Sequence, residues 1–329
     1  MRARIVICGV MLAASAAACG LSILGAEPEE LEETRDAETE RGVDRVDADP
    51  LEPDTAPPPP ELPPPVLDPF DGGIDASPEN CAVACADAGS CVDGWCVVGC
   101  DGGPGCQGSV TCPPGVPCRV QCTGRDACKG GVACGDATAC DVTCDGHASC
   151  SNSKVTCAGT ACRVACTQKD ACIRGIDCDA GACVLRCLGN DACKNERVVC
   201  NADRCSVECG LMAKDGNNAC QAGVECRAST SCDIRCLADN SCKNNPVVAV
   251  ASDTVDVTCS GMNSCESKVF ASAGDSGVRC LGQNACKDGV GCDGGRCAAH
   301  CEQSDLRLCC DAGLCVPTAA DCKIDQRCP

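Results

Sequence analysis

Forty-four cysteines stand in a chain of 329 residues, and thiols at that density have two common fates: oxidation to disulfides or coordination of a soft metal ion. Spacing separates the two. From Cys91 onward the cysteines follow C-x4/5-C-x3-C-x5-C-x5/6, returning about every 22 residues for about ten copies. Zinc sites and metal-storage chains favour C-x-C or C-x2-C clusters. The grid contains neither, and only Cys309 and Cys310 are adjacent. The pattern reads as a disulfide scaffold, with no metal and no cofactor expected.

Other chemistry finds few candidates. The only histidines are His147, in a turn segment, and His300, at an outward strand position. Both read as solvated surface residues, with no Ser/His/Asp arrangement, metal triad or phosphate loop around them. Turn aspartates and asparagines lack the D-x-D-x-D-G and G-G-x-G-x-D patterns of calcium loops. No basic patch with interleaved aromatics points to nucleic acid. The expectation is a non-enzymatic protein.

The elements that position the sulfurs are short strands. Successive copies read VTCPPGVPCRVQCTGRDACKGG from Val110, VACGDATACDVTCDGHASCSNSK from Val132 and VTCAGTACRVACTQKDACIRG from Val155. Each holds a V-x-C segment and a C-x-V-x-C segment. Period-two alternation puts Cys140, Val142 and Cys144 on one face, Asp141 and Thr143 on the other. Two residues before the last cysteine of most copies stands an Asp or Asn (Asp126, Asp170, Asp191, Asn218, Asn240, Asn263, Asn284). These residue types tolerate left-handed geometry, and the small residue after each can tuck inward. The fold expected is all-β: a disulfide-stapled parallel β-solenoid of about ten 22-residue repeats, preceded by a disordered Pro/Glu-rich linker. With a 22-residue rung, Arg119, Asp141 and Arg163 fall in one outward column and Arg186, Glu208 and Arg235 in another, ladders of alternating charge. An 11-residue coil would bring other neighbours together.

Cysteines disappear in pairs. Near Val248 the first two cysteine positions of a copy read as Val250 and Val255, and in the next copy as Ala271 and Ser276. Joint loss is what bonded partners would show. It pairs Cys112 with Cys118, Cys134 with Cys140, Cys157 with Cys162, Cys178 with Cys183 and Cys226 with Cys232. By analogy the C-x5-C cysteines close locally: Cys122 with Cys128, Cys144 with Cys150, Cys166 with Cys172, Cys187 with Cys193, Cys236 with Cys242, Cys259 with Cys265, Cys280 with Cys286. Bonds between neighbouring rungs are the alternative, since they too would be lost together.

The rest of the chain supplies context. One Trp (Trp95), two Phe (Phe70, Phe270) and no Tyr leave little aromatic payload for an ordinary core. Disulfides at this density imply an oxidising compartment. Arg2 and Arg4 precede a short apolar run, Ile5 to Ala18, which reads as a signal peptide over 1–18. Residues 19–79 follow as a linker: between Glu27 and Asp75 there are 17 acids against three bases, then Pro57–Pro60 and Pro63–Pro65. Self-repulsion and proline favour an extended chain. Residues 80–308 form the repeat region, and 309–329, where spacing breaks, a C-terminal cap.

The run Ala16-Ala17-Ala18-Cys19-Gly20 resembles a bacterial lipobox, departing from it where Ala16 replaces the usual Leu. The resemblance implies cleavage before Cys19 and its acylation, hence an anchor in the membrane, with the outer membrane, cell surface or periplasmic face as the site. Removing Cys8 with the signal and diverting Cys19 to lipid leaves an even number of cysteines. Cleavage after Ala18, or near Ala26 beyond Cys19, is the alternative, and would give a secreted protein. The V-T-C strands (Thr111, Thr143, Thr156, Thr258) and C-x5-C spacing resemble beetle antifreeze solenoids. The ice face is not matched, because Pro113, Asp145, Ala158 and Ser260 follow the strand cysteines. What remains is a structural, adhesive or binding module whose partner is an unknown protein or glycan.

Overall fold

The computed structural model describes residue 70 and residues 78–86, 88–211, 216–302, 307–317 and 323–324, those from 307 onward as backbone alone. The signal segment, Cys19 and most of the expected linker lie outside the described residues.

The fold is a parallel β-solenoid. Helix α1 (Pro78–Cys85) and an antiparallel hairpin, β1 (Ser90–Val92) with β2 (Trp95–Cys100), begin it. The hairpin turns on Asp93 and Gly94, whose φ angles of 49° and 78° match a two-residue turn compatible with strand twist. Every later pairing is parallel. The strands are β3 (Val110–Thr111), β4 (Cys118–Cys122), β5 (Val132–Ala133), β6 (Ala139–Cys144), β7 (Val155–Cys166), β8 (Ile176–Cys187), β9 (Val198–Cys209), β10 (Val224–Cys236), β11 (Val247–Val250), β12 (Thr254–Cys259), β13 (Val269–Cys280), β14 (Val290–Cys301), β15 (Arg307–Pro317) and β16 (Lys323–Ile324).

Register fixes the rung. Val120 lies beside Val142, and Val142 beside Val164, so the chain returns to the same place after 22 residues rather than 11. Val132, Val155, Ile176, Val198, Val224, Val247, Val269 and Val290 stack as one buried file. Val142, Val164, Leu185, Val207 and Ile234 stack as another, all at most 1% exposed. Each such side chain contributes about 1.5–3 kcal/mol of burial.

One residue decides whether the two strand segments of a rung merge. Where four residues separate the first two cysteines, as in β7, β8, β9 and β14, one 12-residue strand results. It bends in β7 at Gly159 (φ 114°), where a Cβ would lie 2.5 Å from the carbonyl oxygen of Ala137. With five between them the rung splits, as in β3/β4 and β5/β6. In β10 the extra residue is absorbed as a register shift between Ala228 and Ser231.

The turns stack as well. Asp126, Asp170, Asp191, Asn218, Asn240, Asn263 and Asn284 all have φ between 54° and 62°, and the following Ala or Ser is buried. The cysteine after that is also left-handed, from Cys128 (49°) to Cys286 (51°). The two reversals aim successive N–H groups in opposite directions. The Asp170 amide donates to the Asn190 carbonyl one rung ahead, and the Cys172 amide to the Ser149 carbonyl one rung behind. The backbone ladder therefore continues through the turns, which satisfies groups that would otherwise be orphaned.

One expectation needs correction. In the cysteine-poor copy it is Ala249, not Val250, that lies beside Cys226; Val250 lies beside Arg227 on the outer face. Strand alternation starts from buried Val247, which puts Ala249 inside and Val250 out. The sheet also runs past residue 308: β15 pairs parallel with β14, Leu308 beside Val290 and Cys315 beside Cys297. The break in cysteine spacing there is not a break in the sheet.

Candidate functional site

The sulfurs of the first bridge form two internal files, and Cys122, Cys144, Cys166, Cys187, Cys209 and Cys236, at the end of the second strand segment, form a further one. Register places Cys118, Cys140, Cys162, Cys183, Cys205 and Cys232 in line, and Cys134, in β5's loop, continues the file of Cys157, Cys178, Cys200 and Cys226. Bridges run within rungs. The structure joins Cys112–Cys118, Cys134–Cys140, Cys157–Cys162, Cys178–Cys183 and Cys226–Cys232 across the first pair of positions. It joins Cys122–Cys128, Cys144–Cys150, Cys166–Cys172, Cys187–Cys193, Cys236–Cys242, Cys259–Cys265 and Cys280–Cys286 across the second. The Cα–Cα separations span 5.4 to 6.4 Å over the bridges of the described residues, within ordinary disulfide reach.

Several bridges lie beyond the expected candidates. Cys200–Cys205 and Cys292–Cys297 follow the same rule. Cys209–Cys220 spans a separation of 11, where extra turn residues hide the C-x5-C signature. At the N-terminal end α1 replaces a first strand: Cys85 bonds Cys96, which lies in the file of Cys118, and Cys81 bonds Cys91. Cys100 and Cys106 stand where Cys122 and Cys128 stand one rung later, yet are unbonded. Burial, reinforced by the neighbouring Cys106 thiol, pushes the Cys100 thiol up to about 12.

Sulfurs of adjacent rungs also approach one another. Cys112, Cys134 and Cys140 lie within 4.8 Å, a grouping that three thiolates could use around a metal ion. All three are engaged in bridges, and metal binding requires the thiolate.

The outer face carries the charge ladders. Asp141, 6% exposed, receives Arg163 through Nε–Oδ1 at 3.0 Å and Nη2–Oδ2 at 2.8 Å, and Arg119 Nε at 3.1 Å. Arg186 meets Glu208 at 3.4 Å. Arg235, though beside Glu208 in register, turns along its own strand to Asp233 at 2.9 Å. Burial pushes the Asp233 carboxyl up, opposed by Arg235. An open groove of about 500 Å³ runs over β7–β9, lined by Lys154, Thr156, Asp177, Asp179, Val199 and Asn201. Lys154 spans it, 3.0 Å from Asp177 and 3.5 Å from Glu196. His147 sits in its turn 3.9 Å from Asp170, and His300 lies beside Arg279. The threonines do not align: Thr156 lies between Ala133 and Asp177, Thr143 between Gln121 and Ala165, Thr258 between Arg235 and Arg279.

No protein-family model, curated protein or solved structure matches this chain.

Proposed function

We propose that the chain is an exported, non-enzymatic lipoprotein: a rigid rod held away from a membrane by an acidic, Pro-rich spacer anchored through Cys19, its outward columns binding a protein or glycan partner. The observation that carries this reading is the repeated within-rung bridge at buried positions, which needs an oxidising compartment and consumes the thiols that metal chemistry would use. The open, charged groove over β7–β9 supports docking on an outer flank, where side chains vary from rung to rung while the interior repeats.

Cell fractionation with intact-mass measurement tests the anchoring. Native protein is expected with the membranes and with a diacylglyceryl adduct on Cys19, and Cys19→Ala in the soluble fraction. Unmodified Cys19 or a chain that begins beyond it, with the native protein released, makes it a secreted binding protein instead. Binding is tested separately on a glycan array and against envelope proteins. Retention of a partner that Lys154→Glu or Asp177→Lys abolishes supports docking, and absence of any such partner leaves a spacer or coat.

A further inference from the structure

Two of the three aromatic side chains meet on one flank. The ring of Phe70 packs edge-to-face on Trp95, centroids 5.3 Å apart with planes at 86°. The Arg119 guanidinium lies 4.8 Å from the Trp95 ring centroid, and that of Arg163 4.9 Å from the Phe70 ring centroid. Asp141 binds both guanidinium groups through the three hydrogen bonds described above. Trp95, Arg119, Asp141 and Arg163 come from β2, β4, β6 and β7, strands adjacent in the sheet. Phe70 belongs instead to the Pro-rich segment before α1 and lies outside the cysteine grid.

We propose that this Trp–Arg–Asp–Arg face is a docking surface for the chain's own segment around Phe70, an aromatic latch that fixes where the linker leaves the solenoid. The occupant fits in two ways. A guanidinium plane held flat by a carboxylate presents its face to an aromatic ring, and both rings have such a partner. The flank carries two cations against one buried anion, while Phe70 is flanked in sequence by Asp68 and Asp71, so the charges of segment and face are complementary. The latch holds Phe70 on the outer flank beside Trp95 of β2 and Arg163 of β7. It depends on the solenoid alone and stands whether or not Cys19 is acylated.

Trp95 is the only Trp and the chain has no Tyr, so intrinsic fluorescence reports on this face alone. In the full-length oxidised protein, Phe70→Ala is expected to shift Trp95 emission to the red. It should also speed cleavage at Asp68 and Asp71 by an aspartate-specific protease about tenfold, the size of one edge-to-face pair and one cation–π contact combined. Arg163→Ala should move both readouts in the same direction by less, and Phe270→Ala should move neither. Native emission and cleavage rate in Phe70→Ala would overturn the latch. A native emission maximum that shifts red on hundredfold dilution would assign the contact to Phe70 of a second copy, and so overturn an intramolecular latch.

Discussion

The rungs of β7 to β9 and those of β11 to β13 follow the same path by different means. In the first group every rung carries sulfur in both files of the first bridge, joined at Cys157–Cys162, Cys178–Cys183 and Cys200–Cys205. In the second the same positions hold Ala249 with Val255, then Ala271 with Ser276. Only the bridges after the second strand persist there, Cys259–Cys265 and Cys280–Cys286. The register does not falter: Val224, Val247, Val269 and Val290 stay in file. The path of the coil is thus set by ladder hydrogen bonds and the aliphatic files, and sulfur fastens a coil that those interactions define. The unbridged rungs still bear a mark of the exchange. At one of the exchanged positions the Ser276 hydroxyl is buried without a partner.

Reduction should separate the two groups most. A bridge closing about seven residues contributes roughly 2.4 kcal/mol on the loop-entropy estimate, so a rung with two stands to lose about 5 kcal/mol and a rung with one about half. Hydrogen exchange followed with and without a phosphine reductant is expected to show protection collapsing over 155–209 by more than over 247–286. Equal losses in the two groups would mean that the bridges are not what distinguishes them.

Exchange of the two chemistries is the next test. Cys178→Ala with Cys183→Ala should cost about 2–4 kcal/mol of local stability, from the lost bridge and the smaller side chains. Ala249→Cys with Val255→Cys should add up to about 2 kcal/mol by closing a bridge at the homologous positions. Denaturant midpoints and a disulfide map read both outcomes. Failure of the two introduced thiols to pair would show that the interruption in β11/β12 has moved these positions out of reach.

A smaller effect belongs to the turns. Ala148 occupies the left-handed position (φ 56°) that Asp or Asn fills in neighbouring rungs. For an ordinary L-residue this conformation costs roughly 1–2 kcal/mol, and less for Asn. Ala148→Asn is therefore expected to raise the thermal midpoint slightly, by the equivalent of about 0.5–1 kcal/mol. A lower midpoint would mean that the stacked turns tolerate no side chain there larger than a methyl.

Much of this was legible because period two and period 22 coincide. Val142 alternates with Asp141 and Thr143, so the inside was readable from a single copy, and the Asp and Asn of the turns named their own backbone conformation. The left-handed cysteines were not legible, since nothing in the residue type asks for φ near 50°; the need arises from stacked amides. Cys209–Cys220 was obscured by the residues inserted between them, and β15 by the Cys309-Cys310 doublet, which disturbs the spacing but not the alternation around Leu308. A single Phe in a Pro-rich stretch reads as spacer, and only the sheet brings Trp95, Arg119 and Arg163 to one place to receive it. Of the outward ladders, the Arg119–Asp141–Arg163 column followed from spacing, while Arg235 chose a partner two residues away on its own strand.

Ion pairs fasten rungs to one another in both regions, and acid is the gentlest way to probe what they contribute where bridges are fewer. Glu266, in the turn after β12, reaches Lys243 one rung back at 3.1 Å and Lys287 one rung ahead at 3.3 Å. Those partners, Lys243 first, hold its carboxyl below the usual value of 4.5. Glu225, at the start of β10, is lowered likewise by Arg227 and then Arg197. A carboxyl depressed in the folded state stabilises fully above its unfolded pKa, and that contribution is lost as pH falls through the folded value, here below 4.5. Asp233 has the opposite sign: burial raises it above 3.8, so its protonation in acid relieves a penalty in β10. Protection factors over 243–287, corrected for the intrinsic pH dependence of amide exchange, should therefore fall below about pH 4.5, with Glu266→Gln removing part of that change. Rungs 155–193 should respond less. Glu266→Gln indistinguishable from native at every pH would show that the sparsely bridged rungs stand on their valine files and backbone ladder alone.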